Sequence, residues 1–357
     1  MKQLQIVACV TNELRYWWET AVYLHNLSSL GYQNINILIF VKQNETPLPK
    51  WKELQIKFPE VNFQIFVDRK IAAIGNAFNY KPLYRLWMLQ EWFKLRPELE
   101  QDAILYTDTD IILTKYLDFT PFLQDDINYL SWTGNKERTD NYIGQPYFDS
   151  KESQVEPSKL ATFKKIDVLA KMGESTKTTR QIITENLPNT GGAQYLLKNI
   201  NSQFWTDCFN ACCEIKLLLA GLNQTFMLGF TPTEKENNGW QSFCADMVAV
   251  LYTLWGHNKE TRCPVEMDFA WSTDRLPRVE ETYIIHNAGI VQEHNQKVAF
   301  EKEYVDTKLF FKGKYQTYTP FADLDVLNEI ITNPVSAQFA NAVYVEWILK
   351  THKFLNQ

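Results

Sequence analysis

Four apolar runs, separated by segments with helical spacing, occupy the first third of the chain. The fourth, Ile104-Leu105-Tyr106-Thr107-Asp108-Thr109-Asp110-Ile111-Ile112-Leu113, carries two aspartates one residue apart. The first run is Ile6 to Val10, with Thr11-Asn12-Glu13 as a polar turn behind it. Arg15 to Leu30 then sets Trp17, Trp18, Val22, Leu24 and Leu27 on one helical face and stops at Gly31. Ile35 to Val41 is a second strand, Trp51 to Phe58 a short helix stopped by Pro59, and Val61 to Val67 a third strand. Lys81-Pro82 opens another helix with proline in its first turn, a favoured place for it. This alternation predicts an α/β chain with a Rossmann-like, mostly parallel, doubly wound sheet and helices on both faces. Ligands bind such sheets at the carboxyl ends of the strands, where Asp108 and Asp110 fall.

Two carboxylates at i and i+2 can reach one hard divalent cation, Mg²⁺ or Mn²⁺, and such a cation bridges phosphates readily. The plain alternative is a pair of solvated aspartates in a turn. Mn²⁺ also accepts imidazole, and His286 ends a late apolar strand, Tyr283 to Gly289. A lone histidine is more often structural, but Gly289 allows close backbone approach to a ligand. Lys81 and Arg85 share a helical face that could reach phosphate or simply be solvated. Gly191 and Gly192 could let an acceptor approach the backbone or form a tight turn. Trp240 could stack on a sugar or base, or be core. Asp246 sits early in a helix, where the dipole favours a carboxylate, and it could equally serve as a base.

The net charge of −6 shows that the 357-residue chain as a whole is not built for polyanions, although a local basic groove remains compatible with it. Six cysteines without paired metal spacing, too few for a disulfide scaffold, predict reduced thiols in a cytoplasmic setting. The N-terminus runs straight into a strand and no apolar stretch approaches ~18 residues, so neither an export signal nor a membrane span is expected. The pattern suggests a nucleotide-sugar half over 1–120, an acceptor half over 121–320 and an amphipathic helical tail over 321–357. The polar, lysine-bearing stretch from about Thr133 to Thr184 is expected to be a long functional loop or partly mobile insert.

Taken together, these features resemble the GT-A glycosyltransferases. The second half is more narrowly similar to the group containing plant hydroxyproline O-arabinosyltransferases and the base J glucosyltransferase of DNA. The matching pieces are Asn79-Tyr80-Lys81-Pro82, Asn189-Thr190-Gly191-Gly192, Gly239-Trp240 leading to Asp246, and Ile284-Ile285-His286. The resemblance implies that Asp108, Asp110 and His286 bind Mn²⁺ or Mg²⁺ with the diphosphate of a UDP-sugar. Thr11, Asn12, Lys81, Arg85 and Asp108 are then the candidate donor-binding residues. Gly191, Gly192 and Trp240 are candidate acceptor contacts, and Asp246 is the candidate catalytic carboxylate. Lacking the membrane anchor of the plant enzymes, the chain is expected to act in the cytoplasm, that of the host if it is viral.

The sharpest expectation for the acceptor is a 5-hydroxymethylpyrimidine in DNA, as on bacteriophage genomes, taking arabinose or glucose. Aromatics between Trp132 and Tyr147 would stack on a flipped base, and lysines from Lys164 to Arg180 would meet phosphate. A glycan or protein hydroxyl is the alternative acceptor. Two other classes compete: a haloacid-dehalogenase-like phosphotransferase with Asp108 as nucleophile, and a non-catalytic nucleotide-sugar binder. The phosphotransferases usually carry that aspartate on their first strand, whereas three strands precede it here.

Overall fold

The computed structural model describes residues 2–68, 80–133, 144–229, 239–288, 296–300, 303–307 and 309–357. Asn79, Gly289 and positions 134–143 of the segments singled out above lie outside them. The N-terminal alternation is present: β1 (Leu4–Thr11), α1 (Leu14–Ser29), β2 (Ile35–Val41), α2 (Lys50–Lys57), β3 (Asn62–Val67), α3 (Pro82–Leu95) and β4 (Ala103–Thr107). The next elements are β5 (Ile111–Leu113), β6 (Asn128–Trp132), β7 (Gly191–Lys198), α4 (Ser202–Phe226), α5 (Ala245–Gly256) and β8 (Thr261–Arg262). β9 (Phe269–Trp271), β10 (Ile284–His286), α6 (Leu324–Thr332) and α7 (Ala340–Leu355) complete the main elements. The order of the large sheet is β3-β2-β1-β4-β7-β6-β8. Its mostly parallel pairing gives the mixed α/β, Rossmann-like architecture that the sequence predicts.

The chain forms two compact units that do not follow chain order. One, here the terminal unit, is Leu4–Arg69, Leu105–Pro121 and Pro264–Gln357; the central unit is Met1–Gln3, Lys70–Ile104 and Phe122–Cys263.

In the terminal unit β1 and β2 pair in parallel from Ile6 opposite Ile35 to Thr11 opposite Phe40, and every residue of β2 is buried. Burial on both faces is why these strands are continuous apolar runs rather than alternating ones. β3 extends the parallel ladder. A second sheet has the order β5-β10-β9. Inside α1, the buried Asn26 fixes β5: its amide donates to the Leu113 carbonyl at 2.9 Å and its oxygen accepts from Leu113 N–H at 2.8 Å. A polar side chain on a buried helical face thus satisfies both backbone groups of one strand residue.

In the central unit β7 runs antiparallel to β6, and β8 parallel to it. α3 packs on α4, and α4 on α5. The stretch expected to be a long loop holds four short helices among its described residues: Gln145–Ser150, Leu160–Phe163, Val168–Gly173 and Arg180–Asn186. Asp167 and Thr179 cap the last two with their side chains, which lets such short helices start without a long apolar period. The expected tail helix is divided into α6 and α7, because Pro334 follows the extended Asn333 and proline cannot continue a helix.

Candidate functional site

The strand carrying the acids ends earlier than the sequence suggests. β4 stops at Thr107, Asp108 to Asp110 form a turn, and β5 departs into the second sheet. β5 pairs antiparallel with β10, placing Ile111 opposite His286, Ile112 opposite Ile285 and Leu113 opposite Ile284. The Asn287 N–H donates to the Asp110 carbonyl at 2.8 Å and continues the ladder by one residue. Two apolar pairs, Leu113–Ile284 and Ile112–Ile285, therefore fix the register that brings the histidine to the aspartates; a slip of one residue would turn it to the opposite face. The imidazole stacks on Trp271 (centroids 5.5 Å apart, 22° between planes) and meets the edge of Phe269 at 5.4 Å.

His286 Nε2 lies 3.2 Å from Asp110 Oδ1 and 3.9 Å from Asp108 Oδ2. One ligand atom from each of the three residues falls within 4.8 Å of the others. That spread is of the size one divalent cation with oxygen and nitrogen ligands can span. Buried Asp110 Oδ1 has no well-aligned hydrogen-bond donor, and His286 Nδ1 is likewise unsatisfied. Buried polar atoms left without partners are costly. Two carboxylates and an imidazole form a donor set suited to Mn²⁺, and to Mg²⁺ with water completing the shell.

A second layer of charge surrounds the triad. Lys312 pairs with Asp110 Oδ2, and both are buried. Burial opposes ionisation of Asp110, but Lys312 and His286 outweigh it and hold the carboxyl well below its ordinary range. On α1, Arg15 Nε donates to Glu19 at 2.9 Å. Burial pushes the Glu19 carboxyl up, and Arg15 and Lys312 only partly offset this. Burial lowers and Glu19 raises the Arg15 guanidinium, with a net rise. Lys312, Arg15 and Glu19 did not stand out in the sequence. For the latter two a signal existed: opposite charges one turn apart on a helix that is otherwise largely apolar.

Thr11 is the last residue of β1, one residue beyond the expected strand end, and Asn12 follows it. The Asn12 side chain is engaged: its amide donates to the Thr46 carbonyl at 3.0 Å, and its oxygen accepts from Leu48 N–H at 2.8 Å and Trp51 Nε1 at 3.0 Å. It clasps the loop before α2. The Thr11 hydroxyl donates to Glu13 at 3.1 Å.

The other expected residues belong to the central unit. Asp246 opens α5, and Tyr80 holds it. The Tyr80 hydroxyl accepts from Asp246 N–H at 3.0 Å and can donate to Asp246 Oδ1 at 2.7 Å or the Phe243 carbonyl at 2.6 Å. Burial, then the Asp246 charge, pushes the phenol well above its ordinary pKa. Lys216 lies 4.8 Å over the Tyr80 ring and donates to Ser242 at 2.6 Å. Phe243, beside this cluster, is 57% exposed. Lys81 precedes α3 and is exposed, and Arg85 is one turn on and half-buried.

Trp240 departs from expectation. It is fully buried, stacks on Phe163 with centroids 4.7 Å apart, and packs the core rather than presenting a face to an acceptor. Gly191 has a packing role, because a Cβ there would lie 2.5 Å from Leu130 Cβ and from the Ser131 carbonyl. A Cβ at Gly192 would meet the flexible end of Met247 at 2.4 Å and the Tyr195 hydroxyl at 3.1 Å. Tyr147 is buried and accepts from Gln241 N–H at 2.6 Å. Two of the cations considered for phosphate are ion-paired: Lys164 with Glu152 at 2.9 Å and Arg180 with Asp167 at 3.1 Å.

No family model and no curated protein matches the chain. Among solved structures, that of apo WbbM, a bifunctional glycosyltransferase, is similar over 99% of this chain, with a TM-score of 0.42 and 11% sequence identity. The present chain spans 51% of that chain, about half its length. Among the described residues, no helix is long and apolar enough to cross a membrane.

Proposed function

We propose that the chain is a metal-dependent glycosyltransferase that moves a sugar, arabinose or glucose, from a UDP-sugar to an acceptor hydroxyl. The observation that carries this reading is the convergence of Asp108, Asp110 and His286 within 4.8 Å, beyond the end of β4 in a parallel α/β fold. Asp108, Asp110 and His286 Nε2 would hold the cation. When bound, a divalent cation there supplies Lewis-acid stabilisation of a leaving diphosphate. Thr11 and Asn12 flank the donor at the end of β1, and Lys81 and Arg85 are assigned to its phosphates.

Asp246 is the residue we assign to the acceptor. If the anomeric centre inverts, its carboxylate takes the acceptor proton as the new C–O bond forms. Tyr80 acts as a positioning residue: its hydroxyl holds Asp246 Oδ1. Gly191 and Gly192 line the acceptor side in this reading.

The acceptor we favour is a 5-hydroxymethylpyrimidine in DNA, supported by the resemblance of the Asn189–Gly192 and Gly239–Asp246 segments. A glycan or protein hydroxyl is the second reading. The ion-pairing of Lys164 and Arg180 and the net charge of −6 favour it. Incubating the enzyme with UDP-glucose or UDP-arabinose, Mn²⁺ and hydroxymethylated or plain DNA, then digesting to nucleosides for mass spectrometry, separates them. A hexose or pentose mass shift on the hydroxymethylated base is expected. Its absence, with Mn²⁺-dependent UDP release intact, would transfer the assignment to the second reading.

A further inference from the structure

Lys312 is buried, yet its ammonium is placed on a carboxylate of the candidate metal site. Its position is built rather than incidental. Phe310 is tied to the buried Asn341 through both backbone groups: its N–H donates at 2.7 Å and its carbonyl accepts at 3.1 Å. The Phe310 and Tyr315 rings stack 5.1 Å apart, and Trp18 Nε1 donates to the Tyr315 carbonyl at 3.1 Å. Between these anchors Lys312–Lys314 makes one 3-10 turn. Any Cβ at Gly313 would fall 2.2 Å from the Phe311 ring, so the turn folds tightly over its own aromatic. The clamp holds the Lys312 backbone against the site.

From this we infer that Lys312 is a built-in stand-in for the metal cation and couples metal binding to diphosphate binding. The inference rests on the metal-site reading above and extends it. A divalent cation on Asp110 Oδ1, beside His286, shares one carboxylate with the ammonium on Oδ2. Charge counting gives the direction. A cation arriving alone sets two positive charges against a single buried carboxylate, which opposes its binding. A diphosphate arriving with the cation supplies further negative charge and offsets that repulsion. Metal and diphosphate therefore strengthen each other's binding, and by linkage the factor is the same in both directions.

Mn²⁺ titration of the full chain, followed by electron paramagnetic resonance with and without UDP and corrected for the Mn²⁺–UDP complex in buffer, tests this. In the wild type UDP should tighten Mn²⁺ binding by about 10-fold or more, within the usual range of coupling between sites. Lys312→Gln keeps a hydrogen-bond donor but removes the charge. It should bind Mn²⁺ alone about 10-fold more tightly and lose most of the UDP enhancement, while Lys312→Arg should resemble the wild type. Unchanged Mn²⁺ affinity in Lys312→Gln, or no UDP enhancement in the wild type, would overturn the coupling while leaving the metal site standing. If the wild type bound no Mn²⁺ even with UDP, the metal reading itself would fall, and the coupling with it. Should Lys312→Gln not fold, the wild-type comparison with and without UDP decides the matter.

Discussion

The two units use opposite means to hold a carboxylate ready. In the terminal unit Asp110 is buried among charges: Lys312 on one oxygen, His286 beside the other, and Glu19 and Arg15 behind them. In the central unit Asp246 is held by a neutral phenol within a setting of aromatics and thiols. The first arrangement suits a carboxylate that must meet a cation, since its charge is enforced. The second suits one that must gain and lose a proton, because a neutral donor that can also turn to the Phe243 carbonyl tolerates both states.

The largest test of this contrast is Asp108→Asn. It removes a metal ligand while leaving the Asp110–Lys312 pair intact. Transfer is expected to fall about 10³-fold, several kcal/mol of lost charge stabilisation, and Mn²⁺ binding to disappear in the same titration. Asp246→Asn should cost transfer about 10²-fold or more, the range for a lost general base, with Mn²⁺ binding unchanged. Equal loss of Mn²⁺ binding in both variants would break the division of labour.

Trp240→Ala sharpens the contrast from the packing side. With its side chain fully buried, it should destabilise the protein by about 3–5 kcal/mol in urea melts, typical for a deleted core aromatic. The acceptor KM of the folded fraction should be unchanged. A raised KM at normal stability would restore the tryptophan to the acceptor site.

The smallest effects expected are in pH dependence. Asp110 is depressed from 3.8, so its stabilisation is present above that value and lost as the pH falls below it. Glu19 is raised from 4.5, so its contribution is present below that value and lost as the pH rises through its folded pKa. Between 3.8 and 4.5 neither contribution is lost. In the central unit Cys213 is raised by burial, then by Glu214, from 9.0 to about 11, so its contribution disappears across that alkaline interval. Urea midpoints against pH, followed for each unit by hydrogen exchange, should show these separate windows. Glu19→Gln should flatten the decline above pH 4 in the terminal unit alone.

Much of this was legible in the chain. Parallel strands buried on both faces leave uninterrupted apolar runs, and Asp108, Asp110 and His286 belong to residue types whose chemistry narrows their use. The register that unites them was not legible, because the three apolar residues of β5 and the two before His286 in β10 carry no mark of their partner. Lys312 sits in Phe310-Phe311-Lys312-Gly313-Lys314, which resembles an ordinary surface turn; only the Asn341 clamp and the tight fold over Phe311 bury it. The helices after Gly144 escaped notice because four to seven residues cannot show a period. Tyr80 stood within the quoted Asn79–Pro82 segment, but nothing in one sequence pairs a tyrosine with a distant aspartate.

The central claim is that Asp108, Asp110 and His286 form one metal–diphosphate site. It is tested most directly by UDP release from UDP-glucose or UDP-arabinose in the presence and absence of Mn²⁺. The wild type should release UDP only with the metal, Asp246→Asn should still release it by slow hydrolysis, and Asp108→Asn should not. Metal-independent release, or release preserved in Asp108→Asn, would contradict the account.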